Sequence, residues 1–208
     1  SEFTKRELLS LTDYKTPIYV IHNPLTLPLT YSLKPFNCHC PRILHIGTKA
    51  NKNLPRLIEA LEGITCELII IGQSSLKLEQ LLGHYRIAYQ IKTGLSSEEV
   101  IAEYKMSDIV SFVSTYEGFG LPILEAQSVG RPVITSNVAS MPEVAGEGAL
   151  FVNPFSVDSI KKGVTNVMQN ESLRNHLIKK GLENVSKYEK QNIANQYIEL
   201  YSKVLIRE

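Results

Sequence analysis

Residues 114–136, STYEGFGLPILEAQSVGRPVITS, decide how this chain is read. The stretch leaves an apolar, β-branched run, turns through Gly118 and Gly120, enters a helix at Pro122 and returns to a second apolar run, RPVITS. Glycine lacks the Cβ that bars tight turns and close approach, and proline is pre-organised for a first helical turn. Such a connection leaves the first helical N–H groups unbonded at the positive end of the helix, which makes the turn a seat for an anion such as a phosphate. Two acids bracket it, Glu117 just before the turn and Glu125 one turn into the helix. A carboxylate beside a phosphate seat has a purpose where it accepts hydrogen bonds from uncharged hydroxyls, as on a sugar.

The same alternation recurs on either side. RILHIGT (42–48) precedes NLPRLIEALEG (53–63), ELIIIG (67–72) precedes SLKLEQLLG (75–83), and RIAYQI (86–91) precedes SSEEVIAEYKM (96–106). DIVSFVS (108–114) leads into the quoted helix, RPVITS is followed by a short MPEVAG (141–146), and GALFVNP (148–154) is followed by VDSIKKGVTNVMQN (157–170). Short runs that are apolar on both faces suit central strands of a parallel sheet, and the intervening stretches have helical spacing. The pattern predicts an α/β fold, a Rossmann-like parallel sheet of about six strands with helices on both faces.

Composition agrees. With 208 residues, 43% hydrophobic and 21% charged, the chain has material for one sizeable core. A net charge of +1 provides no field to recruit nucleic acid. Three cysteines, an odd number in a chain of this size, fit a reducing compartment. No run approaches the ~18 apolar residues of a membrane helix, and the opening SEFTKRELL reads as a surface helix rather than a signal peptide. After it come an expected strand at Ile18 to Ile21 and the Pro-rich stretch NPLTLPLTYSLKP, which reads as a linker. From Glu171 the spacing is helical to the end, in two pieces, 172–188 and 189–206.

With these motifs in order, the sequence resembles retaining, nucleotide-sugar-dependent glycosyltransferases of family 4, which have the GT-B fold. The resemblance rests on ILHIGTKANKNLPRLIEAL, ELIIIG, YKMSDIVSFVSTYEGFGLPILEAQSVGRPVI and SMPEVAGEGALFVNP, together about Arg42 to Pro154. It implies the C-terminal, donor-binding half of a GT-B enzyme. Residues 1–35 would then be the end of a missing N-terminal domain and its linker, 36–188 the donor-binding domain, and 189–208 a helix docking on the partner half. Glu117 and Lys52 would be the catalytic pair. Gly47, Thr48, Lys52, Gly118, Phe119, Gly120 and Leu121 would hold the sugar and diphosphate, Glu125 the ribose, and Gly72 with the backbone of Gln90, Ile91 and Lys92 the base. Thr48 stands where many members have an Arg after the strand's glycine, and the neighbouring Lys49 is the alternative replacement for it.

The implied reaction moves a hexosyl group, mannosyl or glucosyl, from a nucleotide-diphosphate sugar to a saccharide or lipid-linked acceptor, with no metal and no cofactor. The implied place is cytoplasmic, including the inner membrane face. As a fragment the chain is expected to bind donor and transfer little; the alternative is a non-catalytic nucleotide-binding or regulatory module derived from a GT-B half.

The remaining reactive residues read as structural. Cys38-His39-Cys40 lacks the ligand spacing of a zinc knuckle and reads as free thiols in a connector. His45 lies in a strand and reads as a core residue, His22, His84 and His176 as peripheral, and Glu143 as a capping residue. Lys161, Lys162, Lys179 and Lys180 read as a solvated helix face.

Overall fold

The computed structural model describes residues 1–13 and 15–205. Among them six strands form one fully parallel sheet in the order β3-β2-β1-β4-β5-β6. The strands are β1 (Arg42–Ile46), β2 (Glu67–Ile71), β3 (Ala88–Lys92), β4 (Ile109–Phe112), β5 (Val133–Ser136) and β6 (Ala149–Val152). Between them run the helices α2 (Leu54–Ala60), α3 (Leu76–His84), α4 (Ser97–Met106), α5 (Leu121–Ser128) and α6 (Met141–Ala145). The helix α1 (Glu2–Leu11) precedes the sheet, and α7 (Val157–Gln169), α8 (Glu171–Val185) and α9 (Lys190–Leu205) follow it. Strand order reverses between β1 and β4, so the loops leaving these two strands diverge and open a crevice at the carboxyl edge.

Successive residues of a strand face opposite sides, and here both sides are apolar. Ile43, Leu68, Ile70, Ile109 and Ile134 pack with α2, α3 and α7, while Leu44, Ile69, Val110, Phe112 and Val133 pack with α5 and α6 on the other face. Ile43 and Leu44, adjacent in β1, are both fully buried, so truncating either to alanine would cost about 2–5 kcal/mol. Helix starts follow local chemistry: Ser75 and Ser156 accept from backbone N–H groups of α3 and α7, and Ser96 with Glu99 forms a capping box on α4.

The expected strand at Ile18 to Ile21 does not form. Among the described residues this segment pairs with no strand of the sheet, and without a partner's backbone no ladder forms. Instead Ile18–Ile21 lines a groove with Gln196, Leu200 and Lys203 of α9, a helix whose only buried residue is Ile193. The Pro-rich stretch is irregular but fastened. Arg131, buried, donates to the carbonyls of Ser32, Val129, Gly130 and Lys105, and Asp108 accepts from Lys34 and from the backbone N–H groups of Asn37 and Arg42. These bonds tie the connector across the amino edge of β4 and β1, opposite the crevice.

Candidate functional site

The loop after β1 is organised by Lys52. Gly47 has φ 95°, a conformation open to glycine, and a Cβ there would stand 2.9 Å from the Lys52 stem. The missing side chain lets Lys52 fold back over the strand end, with Nζ 4.6 Å from the centre of the Phe112 ring. From there Nζ donates to Glu117 Oε1 at 2.7 Å, an ion pair with both side chains less than one-fifth exposed. Asn51 Nδ2 donates to the same carboxylate oxygen at 3.1 Å and to the Tyr116 carbonyl, and Thr115 N donates to the Asn51 carbonyl. Loops from β1 and β4, on either side of the sheet's reversal, are thus joined through Glu117.

The carbonyls of the loop after β4 are taken up by hydroxyls. Ser140 Oγ lies 2.8 Å from the carbonyl oxygen of Glu117 and 2.7 Å from that of Phe119, and the hydroxyls of Ser1 and Thr4 donate to the Gly118 carbonyl. Among the described residues, the backbone N–H groups of Gly118, Phe119, Gly120 and Leu121 meet no acceptor. Gly120, at φ 115°, caps α5, with Pro122 in the first helical turn. The two glycines therefore differ. A Cβ on Gly120 would lie 3.2 Å from Ile123, whereas one on Gly118, whose φ is not positive, would meet only Thr4 Oγ1 at 3.7 Å. Four unbonded amides and a helix start can donate to an anion, next to the Lys52 ammonium in its pair with Glu117.

Glu125 is turned into the protein. It is 9% exposed, and its Oε2 accepts from the hydroxyl of Tyr104, a fully buried residue of α4, at 2.5 Å. Burial pushes the Glu125 carboxyl above the usual range, against the lowering effect of the Tyr104 hydroxyl. Tyr104 is pushed up further, by burial and by the neighbouring acid, so the phenol keeps its proton and donates.

On the far side of β1, Gly72 and Thr48 meet. A Cβ on Gly72 would stand 2.8 Å from Thr48 Cγ2, and Gly72 N donates to the Lys92 carbonyl. The structure so brings Gly47, Thr48, Gly72 and the end of β3 together. Lys92 Nζ turns to Glu103, Ile91 packs against the core, and Gln90, two residues before the carboxyl edge, donates to Glu67. Only the backbone at Lys92 reaches the loops.

Sequence reasoning passed over three supports of this site. Asn51, Ser140 and Tyr104 act through hydrogen bonds to partners far along the chain; the one local signal was a polar side chain next to Lys52. His22 also departs from its expected peripheral place, since it pairs with Glu143 at 2.8 Å and packs beside Phe119 and Tyr188. Glu143 does cap a helix, but a distant one. Its carboxylate accepts from Glu2 N and Phe3 N at the start of α1. Burial alone would raise the Glu143 carboxyl, but His22 and these two amides hold it below the usual range.

The family model described as glycosyl transferases group 1 matches residues 41–184, the sheet with its loops and α8. The chain belongs to that family. This glycosyl transferase sequence is 42% identical over 90 residues to O-antigen chain mannosyltransferase B of Escherichia coli, covering 43% of this chain and 24% of the relative. It is 32% identical over 168 residues to the serotype-specific mannosyltransferase WbdA of the same organism, covering 74% of this chain and 20% of WbdA. The chain therefore spans a quarter or less of either relative. Its fold is that of sucrose-phosphate synthase from Thermosynechococcus elongatus, with a TM-score of 0.86 at 21% identity over all of this chain and 58% of that one. The Rossmann-like layer is the one found in GT-B glycosyltransferases. Among the described residues no helix is long and apolar enough to cross a membrane.

Proposed function

We propose that this chain is the nucleotide-sugar donor-binding domain of a retaining, family 4 hexosyltransferase, transferring mannosyl or glucosyl to a saccharide or lipid-linked acceptor. The observation that carries the reading is the set of unbonded amides of Gly118 to Leu121 at the sheet's reversal, beside a Lys52 ammonium held by Glu117. Cleaving the bond between sugar and diphosphate loads negative charge onto the leaving phosphate, and fixed donors aimed there stabilise that charge without needing to reorganise. In this reading Lys52 serves both partners, steadied by Glu117 until the diphosphate arrives. Glu117 then accepts from a hydroxyl of the transferred sugar, Glu125 from the ribose, and the base rests near Gly72 and the end of β3. Lys52 and the amides supply the positive charge, so no metal or cofactor is assigned a role.

Thr48 removes one cation that the resemblance leads one to expect, which leaves Lys52 as the principal side-chain contact to phosphate. The mannosyltransferase relatives favour a hexosyl donor, and their greater length fits an acceptor site on a further domain. Such a fragment binds donor and transfers little alone, and its work belongs in the cytoplasm, at the inner membrane face where the acceptor is lipid-linked. A thermal-shift screen of the 208-residue chain against UDP, GDP, ADP and their sugars tests the reading. A ligand selective for the folded state raises the melting temperature, and one nucleotide family should do so in a concentration-dependent way. No shift with any of them refutes the donor site.

A further inference from the structure

We propose that Tyr104 is a positioning residue for donor recognition, one that pins a single oxygen of Glu125 so that the other is presented to the ribose hydroxyls. The assignment rests on the reading of Glu125 as a donor contact. Glu125 lies in a stretch of α5, Ile123 to Ser128, that is buried throughout, so its backbone has one placement. Its carboxylate does not share that constraint, because the last torsion of a glutamate is broad and nearly two-fold.

Tyr104 supplies what the helix leaves open. The ring is fully buried, and among the described residues the hydroxyl has a single partner, Glu125 Oε2, at 2.5 Å. Phenylalanine would fill the same apolar space without the cost of burying a hydroxyl, so core packing alone does not account for the oxygen. Glu125 Oε1 accepts from no described residue and is not sealed from solvent. One oxygen is held by Tyr104 of α4 and the other is left open, with two lone pairs able to accept from a vicinal diol. Burial raises the Glu125 carboxyl, and the Tyr104 hydroxyl works against that rise by bonding to the ionised form.

The test compares UDP and GDP with their 2′,3′-dideoxy forms by titration calorimetry, on the parent chain and on Tyr104→Phe, which keeps the ring and removes only the hydroxyl. The parent should favour the ribose form of its nucleotide by about 10-fold or more, as expected for hydrogen bonds to a charged acceptor. In Tyr104→Phe that preference should shrink to within about threefold while affinity for the dideoxy form stays within about twofold of the parent. A merely structural role would weaken both forms together, and that outcome overturns the proposal. So does an undiminished ribose preference in Tyr104→Phe. Failure of the parent to bind any nucleoside diphosphate would instead overturn the donor-site reading, and this assignment with it. Should Tyr104→Phe not fold, 3-fluorotyrosine at position 104, a stronger donor of the same shape, should raise the ribose preference and leave dideoxy binding unmoved; an unchanged preference refutes the role.

Discussion

Replacing Lys52 with methionine removes one positive charge from the crevice and keeps most of the stem that fills the space above Gly47. In the parent the ammonium is 2.7 Å from Glu117, and the side chains are 19% and 15% exposed. A hydrogen bond to a charged group contributes about 1.5–3 kcal/mol, so loss of the phosphate contact alone should weaken a nucleoside diphosphate roughly 10- to 100-fold. Glu117 adds to this, because without its ammonium the carboxylate faces the diphosphate as a like charge. Asn51 still donates to it, which limits the harm to folding, but with both side chains less than one-fifth exposed the stability loss should be about 1–3 kcal/mol. Calorimetric titration with the nucleoside diphosphate and with the corresponding monophosphate separates the contributions. Lys52→Met should erase most of the preference for the diphosphate and leave the monophosphate within about threefold of the parent. A diphosphate affinity within about twofold of the parent would show that the amides carry the phosphate unaided, and the role given to Lys52 would be wrong.

Two further expectations follow from the backbone and the core. Gly120→Ala forces a side chain into φ 115° and to 3.2 Å from Ile123, so urea unfolding should show a loss of about 1–3 kcal/mol, whereas Gly118→Ala should stay within about 0.5 kcal/mol of the parent. Equal losses at the two positions would contradict the difference found between these glycines. Burial holds the His45 imidazole down at about 4, and the nearby Lys52 charge adds to this against the opposing pull of the Ser111 and Gly47 backbone. Below its unfolded value of about 6.5 the unfolded chain binds the proton that the folded chain refuses, so stability is full above that pH and falls towards pH 4, by about 3 kcal/mol in all. His45→Leu should flatten that part of a stability-against-pH curve, and a slope identical to the parent's would rule out the buried neutral histidine as its source.

Much of the fold was readable because its signals are local. Each apolar run and each helical stretch between Arg42 and Gln169 corresponds to an element of the structure, since runs such as ELIIIG can bury both faces only inside a covered parallel sheet. The miss at Ile18 to Ile21 has the complementary cause. IYVI has strand-forming residues, but a strand exists only where another offers its backbone, and none of the described strands lies there. The glycine turn and its two acids were legible for the same reason as the helices, being a spacing along one short stretch.

The amino-acid sequence by itself determined the alternation of elements, the glycine turn into α5 and the residue types available for an anion seat, because propensity, periodicity and backbone freedom act within a few residues. Tertiary structure decided which of those residues meet. Only the reversal of strand order sets Asn51 and Lys52 against Glu117, some 65 positions away, and only the core shared by Tyr104 with Ile123 and Leu124 sets Tyr104 beside Glu125. It also placed α1 over the glycine turn, with Glu143 at its start and Thr4 on the Gly118 carbonyl. Hydrogen bonds and ion pairs fall off within a few ångströms, so a spacing along the chain cannot select them until the core has fixed which distant segments share a surface.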